Sequence, residues 1–150
     1  MADSDAAPDP AVPGENMKFA TAMIVLLAVW PFSSAKEYRM TSGAGVPAAT
    51  GIVKVQKDKD NGNIQLDIKV DHLAQPSALT PSATNYLVWV RPNGGEAVKQ
   101  GAIGVDKNLT GELKTETVSR DFDVFITAEQ GEDATVPSSV EVLRTHVSSN

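Results

Sequence analysis

The fold class of this chain is decided by the segment Ile64-Gln65-Leu66-Asp67-Ile68-Lys69-Val70-Asp71, in which apolar and polar side chains alternate without a break. Successive side chains of a β-strand point to opposite faces, so the apolar residues would share one face. This pattern is typical of an antiparallel strand with one face on a core and the other in water. Asn61-Gly62, just before it, favours the tight turn of a hairpin with a strand over residues 52–57.

Five more strands are predicted after this hairpin, at residues 85–91, 97–105, 109–118, 121–129 and 139–147. The first of them is apolar on both faces and contains Trp89, so it is expected to be a central strand. Two prolines in residues 73–81 exclude a central strand there and predict a long connection between two sheets. The pattern predicts an all-β fold: a single antiparallel seven-stranded β-sandwich, immunoglobulin-like, over residues 51–148. An open barrel is the structural alternative.

Two segments before the sandwich have compositions unsuited to a core. Residues 1–16 hold three prolines, four acidic residues and small apolar side chains, which cannot bury enough surface to offset the entropy of ordering. They are predicted to be disordered, or to precede a true start at Met17. Residues 36–50 are rich in Gly, Ala and Ser, and are predicted to form a flexible segment that leads into the domain or a short irregular edge.

Residues 17–35 have the three-part pattern of a secretory signal peptide. Lys18 supplies a positive charge, residues 19–30 form an uncharged run, and Ser33 and Ala35 are small residues of the kind that signal peptidase accepts. Cleavage is predicted before Lys36. The uncharged run is shorter than the ~20 apolar residues that cross a bilayer as a helix, and an uncleaved N-terminal anchor is the alternative.

Amino-acid composition limits the cellular compartments and binding partners to be expected for this protein. Lys and Arg number 13 against 19 Asp and Glu, a net charge of −6, with no run of basic residues. Nucleic-acid binding is therefore not predicted. The chain has no cysteine, which excludes a disulfide framework and lipid attachment at a lipobox. The predicted signal peptide indicates a secreted or periplasmic protein. Such a protein would contact a membrane only if the signal segment stays uncleaved.

The candidate metal ligands do not match a known spacing. Residues 58–63 contain the acids and amides of a calcium loop, but Gly62 falls at position five rather than six, and Lys69 occupies position twelve, where a Glu is required. A hairpin turn is the better interpretation. His72 and His146 are the only histidines, and without a paired spacing or a cysteine they make a poor zinc site. No metal and no cofactor is predicted.

The candidate catalytic groups do not form a recognisable motif. Asp71 and His72 are adjacent in a strand, so their side chains are expected on opposite faces and not as a dyad. The hydroxyls near them lie in no Gly-x-Ser-x-Gly elbow; they belong to Ser77, Ser82 and Thr84. Asp121 with Asp123, and Asp67 with Asp71, share strand faces as a glycosidase pair would, but this period is typical of a solvated face. The protein is predicted not to be an enzyme, with a hydrolase of unrecognised site as the alternative.

Three aromatic residues, Tyr86, Trp89 and Phe125, are candidates for a sugar-binding platform. Trp89 lies in the most apolar strand, so core packing is favoured for it. Phe125 faces away from its apolar strand neighbours and is expected to be the more exposed. Asn108-Leu109-Thr110 matches a glycosylation sequon, which is expected to be incidental in a bacterial-type protein.

The order of short motifs along the last five predicted strands resembles that of one protein family. They are Tyr86-Leu87-Val88-Trp89-Val90, Gly94-Gly95, Val98, Gly101-Ala102-Ile103, Gly111-Glu112-Leu113, residues 122–129, and Pro137-Ser138 before Val140 and Val142. This order is similar to that of the extracytoplasmic C-terminal domain of anti-sigma-K-type factors, and it implies a β-sandwich outside the membrane. In that family the sigma-binding part precedes a transmembrane helix and often carries a His/Cys zinc site. No such part is recognisable in this sequence, so the resemblance carries over neither sigma-factor binding nor any functional residue.

The sequence predicts a non-enzymatic structural or interaction module. A sandwich without an internal site acts through its loops or edges, and residues 75–84 and 130–138 are the loops expected to contact a protein or a glycan. The alternative is a self-assembling subunit, in which the segment after Lys36 adds as a strand to the open edge of a neighbouring copy and forms a homo-oligomer.

Overall fold

The computed structural model describes residues 34–149, which form an all-β domain of antiparallel strands. Its strands are β1 (Lys36–Ser42), β2 (Thr50–Lys57), β3 (Ile64–Asp71), β4 (Asn85–Pro92), β5 (Val98–Ile103), β6 (Gly111–Thr117), β7 (Asp121–Glu129) and β8 (Glu141–Ser148). Within the described residues the only helical element is a 3-10 turn at Pro76–Ala78, and no helix there is long and apolar enough to cross a membrane. Residues 1–16 and most of the predicted signal peptide lie outside the described residues.

All seven strands predicted from the sequence are present, but the described chain contains an eighth, β1. The prediction of a flexible segment over residues 36–50 is wrong here. Met40 is the one buried residue of β1, so the strand lacks the apolar alternation by which sequence analysis finds strands. It forms because it pairs with β2 and β8. The rest of the segment is also anchored, since Val46 and Ala49 are buried in the core.

The strands form one sheet in the order β5-β4-β7-β8-β1-β2-β3-β6. Residues 36–40 of β1 pair with β2 and residues 41–42 pair with β8, so β1 joins two halves of the sheet. The outer strands β5 and β6 meet through a side chain, because Thr115 Oγ1 donates a hydrogen bond of 2.8 Å to Gln100 Oε1. Gln100 is the extra residue of a bulge opposite β4, which turns it towards β6. The sheet is therefore nearly closed.

The core lies between the inward faces of the two halves. The predicted apolar face of β3 is confirmed, since all four of its residues are buried; they are Ile64, Leu66, Ile68 and Val70. Strand β4 is buried on both faces, as predicted for a central strand. Its residues Tyr86, Val88 and Val90 contact the main core, and Leu87 and Trp89 pack on the opposite face in a smaller apolar cluster.

The connections divide between the two ends of the domain. Residues 43–49, 72–84, 104–110 and 130–140 lie at one end, here called the loop end. The connections at the other end are residues 58–63, 93–97 and 118–120, beside the start of β1 and the end of β8. The predicted crossing between sheet halves before β4 is confirmed. Residues 104–110 also cross between the halves, because β5 and β6 belong to different halves.

Gly111 is required where residues 104–110 cross between the halves. A Cβ atom at this position would lie 2.5 Å from the carbonyl oxygen of Gly104, a backbone atom that cannot move without shifting the crossing. We expect Gly111→Ala to lower the free energy of unfolding by about 1–3 kcal/mol, as measured by urea denaturation. The matched control is Gly45→Ala, because a Cβ atom there would meet no atom within 4 Å beyond its chain neighbours. Equal unfolding midpoints for the two variants would contradict this role of Gly111.

Candidate functional site

The two longest connections of the loop end are held against each other by hydrogen bonds. Gln130 Nε2 donates to the carbonyl oxygen of Ser82 at 2.6 Å. Thr84 donates twice, from its backbone N–H to the Glu129 carbonyl at 2.9 Å and from its hydroxyl to the Gln130 carbonyl. The two loops that the sequence predicted as contact sites, residues 75–84 and 130–138, are thus neighbours held together by hydrogen bonds, and they share one surface.

A chain of buried hydrogen bonds fixes the base of residues 130–138. Trp89 Nε1 donates to Thr127 Oγ1 at 2.8 Å, and the Thr127 hydroxyl donates to Glu129 Oε1. The same oxygen accepts the backbone N–H of Ser138 at 2.8 Å. Glu129 is only 6% exposed, and a buried carboxylate without donors would be costly. These bonds therefore hold both ends of the loop to β4 and β7.

The loop also covers the smaller apolar cluster. Leu87, Trp89 and Phe125 form this cluster, and Ala134 from residues 130–140 packs against it. The tip of the loop faces solvent, where Val136 is 72% exposed. An anchored base with an exposed apolar tip is an arrangement suited to binding rather than to closing over a site.

The prediction that Phe125 is the more exposed of the three aromatic residues is wrong, because its side chain is 1% exposed. Arg91 and Arg144 lie over its ring, with guanidinium carbons 4.9 Å and 5.3 Å from the centroid. Such cation–π contacts bury the ring while the charged groups stay hydrated. Core packing of Trp89 is confirmed. Tyr86 is buried too; its hydroxyl donates to the Ala74 carbonyl, and burial raises its pKa to about 12. The three aromatic residues do not form an exposed platform.

A charged cluster on β7 and β8 was missed by sequence analysis. The two ring nitrogens of His146 face two carboxylates, with Nδ1 at 2.9 Å from Asp123 Oδ1 and Nε2 at 3.0 Å from Asp121 Oδ1. Arg144 bridges Asp123 and Glu141 at 2.9 Å and 2.8 Å. Asp121 and Asp123 were recognised as sharing a face. Their partner was not, because the pairing of Asp123 with His146 depends on the register between two strands.

The geometry of this cluster favours a doubly protonated His146, because only the imidazolium can donate from both ring nitrogens. The hydrogen bond to Asp123 and the charge of Asp121 raise the pKa of His146 above its ordinary value. Partial burial raises the pKa of Asp123, but hydrogen bonds from Arg144 and His146 outweigh this effect, so its pKa lies below the ordinary value. The stabilisation from His146 is thus present below the pKa of the unfolded chain and is lost as the pH rises through the folded-state pKa.

The calcium candidate at residues 58–63 is a hairpin turn, as predicted, since β2 and β3 pair on either side of it. Asp58 accepts the backbone N–H of Asp60 at 2.8 Å and the side-chain amide of Gln65 at 2.9 Å. The Asp58 carboxylate therefore stabilises the hairpin turn by accepting hydrogen bonds. Across residues 34–149, no group of three or more His, Cys, Asp or Glu side chains is placed to hold a metal ion.

The prediction that Asp71 and His72 cannot pair is wrong. His72 follows the last residue of β3 and has a left-handed backbone with φ of 54°, which turns its ring back so that Nδ1 lies 3.4 Å from Asp71 Oδ1. Both side chains are exposed. The neighbouring hydroxyls are engaged elsewhere, because Ser82 donates to the Ser77 carbonyl at 3.2 Å and Thr84 contacts residues 129–130.

An open cavity of about 520 Å³ lies beside Asp71 at the loop end, and Asp106 and Glu112 also line it. The Asp106 carboxylate accepts the backbone N–H groups of Thr110 and Asn108 and the Thr110 hydroxyl, at 3.0, 2.8 and 3.1 Å. The backbone hydrogen bond from Thr110 has the largest effect and holds the pKa of Asp106 below its ordinary value. Asp106 therefore stabilises the turn of residues 104–110 as an ionised acceptor.

Neither the comparison with protein-family models nor that with curated proteins found a match for this chain. The resemblance to the extracytoplasmic domain of anti-sigma-K-type factors stays a prediction from the residues quoted above.

The pKa of His146 can be measured directly in a His72→Gln variant, which leaves one imidazole in the chain. We expect its ring proton signals to titrate in NMR with a pKa above the ordinary 6.5, because Asp123 stabilises the imidazolium. Asp123→Asn in the same background should lower this pKa, since the hydrogen-bond acceptor loses its charge. A pKa at or below 6.5 before the second substitution would rule out the paired geometry in solution.

Proposed function

We propose that this protein is an exported, non-enzymatic β-sandwich module, immunoglobulin-like in architecture, that binds a protein partner through its loop end. The observation that carries the proposal is the bracing of residues 72–84 against residues 130–140. Loops held on a rigid β-scaffold are the usual place for recognition, and the hydrogen bonds of Thr84 and Gln130 spare these loops much of the ordering entropy that binding would otherwise cost.

The sandwich architecture is supported by the way in which the two halves of the sheet meet. β1 contacts β8 through only two register pairs, and β5 meets β6 through the Gln100–Thr115 contact rather than through a backbone ladder. Two sheet halves that share one core, but are joined at their edges by few backbone hydrogen bonds, are more typical of a sandwich than of a barrel.

Three of the polar groups that could support catalysis are occupied by structural hydrogen bonds. Glu129 anchors a loop, Asp106 caps a turn, and Ser82 donates to a backbone carbonyl. These assignments favour recognition over hydrolysis. Self-assembly by strand donation is less favoured, because β1, which follows the predicted cleavage point, is already paired with β2 and β8 of its own chain.

Export is supported by the position of β1. The predicted cleavage before Lys36 would release a chain whose first residue begins this strand, so the sheet would stay whole. The start of β1 also lies at the end of the domain opposite the loop end. An attached leader or anchor would therefore leave the proposed binding surface free.

Site-specific photocrosslinking tests the proposed binding surface. A benzoylphenylalanine at Val136, on the loop end, should give a discrete crosslinked product with a partner protein in the exporting cell. The matched control is Val118 at the opposite end, because the two valines are 72% and 79% exposed. The same product from both positions, or none from Val136 and from a second loop-end position at Ser77, would refute binding through the loop end.

Intact mass tests export. When the full chain is expressed in a Gram-negative bacterium, the periplasmic fraction should contain a chain that begins at Lys36. Ala35→Arg should block this cleavage, because signal peptidase requires a small residue there, and Ala35 is an exposed residue outside β1, so the folded domain should be unaffected. Recovery of the unmodified protein only in the cytoplasm, or with residues 17–35 attached, would contradict the predicted signal peptide.

A further inference from the structure

The turn between β5 and β6 contains the sequence Asp106-Lys107-Asn108-Leu109-Thr110. Its last three residues are an acceptor sequon of N-linked glycosylation, and no other asparagine in the sequence has a serine or threonine two positions after it. A three-residue match was expected to be incidental. Bacterial oligosaccharyltransferases, however, also select an acidic residue two positions before the acceptor asparagine, and Asp106 occupies that position. The match therefore extends over five residues, with no proline between the required ones.

Asn108 lies at the tip of this turn. Leu109 donates its backbone N–H to the Asp106 carbonyl at 3.0 Å, which closes a four-residue turn with Asn108 in the third position. The Asn108 side chain is exposed, and its amide lies near the Asp106 carboxylate. A sugar on Asn108 Nδ2 would replace one of the two amide hydrogens. The folded domain can therefore carry a glycan at this position without displacing any core residue.

Hydrogen bonds within the turn indicate when the glycan would be attached. The Asp106 carboxylate accepts the backbone N–H of Asn108 at 2.8 Å and the hydroxyl of Thr110 at 3.1 Å. The acid and the hydroxyl that the enzyme would recognise are thus bonded to each other once the turn has closed. Attachment is therefore expected before the turn closes, while the exported chain is still unfolded.

We propose that Asn108 is an acceptor of N-linked glycosylation by a bacterial oligosaccharyltransferase. This inference rests on the proposed export, because the exported chain has to meet the enzyme outside the cytoplasm. The co-reactant is an oligosaccharide linked through pyrophosphate to a polyprenyl lipid. Asn108 Nδ2 forms a bond to the anomeric carbon of the first sugar and loses one proton. The bond from that carbon to the pyrophosphate oxygen breaks, and the lipid pyrophosphate leaves with the electron pair.

The glycan would be carried at the loop end, next to residues 72–84. Gln75 Nε2 donates to the carbonyl oxygens of Val105 and Asp106, at 3.1 and 3.0 Å. Leu73 donates its backbone N–H to the carbonyl of Leu109 at 3.1 Å. These bonds fix the turn beside the proposed protein-binding surface, so the glycan would flank that surface.

Intact mass tests the proposal in a Gram-negative bacterium that is supplied with a bacterial oligosaccharyltransferase and a lipid-linked oligosaccharide of known mass. The full chain recovered from the periplasm should carry the mass of one oligosaccharide, and fragmentation should locate it on Asn108. Asn108→Gln should abolish the addition. The matched control is Asn61→Gln, because Asn61 is an exposed asparagine in the turn at the opposite end of the domain and lies in no sequon. This control should carry the same added mass as the natural chain.

Asp106→Asn separates recognition of the sequon from the structure of the turn. The new amide oxygen can still accept the backbone N–H groups of Asn108 and Thr110, and its NH₂ group can donate to the Thr110 hydroxyl, so the turn should be kept. Loss of the charge should lower the glycosylated fraction by about tenfold, as expected for one contact to a charged group. Asp106→Glu should restore the fraction. Equal fractions for Asp106→Asn and the natural chain would overturn the role of the acid.

Failure of export and failure of glycosylation give different results. A periplasmic chain without added mass would overturn the proposal and leave export intact. If the full chain stays in the cytoplasm, residues 36–150 are expressed in the same cells behind the signal peptide of an established periplasmic protein. An added oligosaccharide on Asn108 of that chain would support the acceptor site, although the predicted signal peptide would be wrong. An unmodified periplasmic product would overturn the proposal.

Discussion

The pairing of β1 with both β2 and β8 is the constraint on which the rest of the domain depends. Through it, one strand joins two halves of the sheet that otherwise meet across the core and at the Gln100–Thr115 contact. Because each half has an apolar face that packs on the shared core, neither can be stable in water without the other. All neighbouring strands are antiparallel, so the connections at residues 43–49, 72–84, 104–110 and 130–140 lie at the same end of the domain.

The second constraint is the apolar cluster on the outer face of β4 and β7. In most sheets with one face on the core, the opposite face is exposed to solvent. Here Trp89 and Phe125 lie on that opposite face and must be shielded from water. Residues 130–140 and the side chains of Arg91 and Arg144 provide that cover. The hydrogen bonds from Trp89 through Thr127 to Glu129 then make the covering loop part of the scaffold. A loop held in this way presents its tip in a defined position, which is what recognition needs.

The acidic side chains of the domain differ in how their carboxylates are stabilised. Asp58, Asp106 and Glu129 each accept hydrogen bonds from backbone N–H groups of their own turns and loops. Asp123 is held by Arg144 and His146. Asp67 differs, because one of its oxygens is buried without a donor.

The sequence by itself determined the seven strands with a local apolar pattern, and β3 and β7 have the predicted bounds. It also identified the hairpin at residues 58–63, the crossing before β4 and the two loops that meet at the loop end. These features depend on side chains that are close in sequence, where alternation and turn residues act directly. Tertiary structure decided the rest. β1 has no apolar alternation and exists through its partners, the ring of Phe125 is buried by arginines from two other strands, and His146 meets Asp121 and Asp123 only because the register of β7 and β8 places them together. Each of these depends on residues far apart in the chain, whose contact is fixed by the packing of the whole sheet.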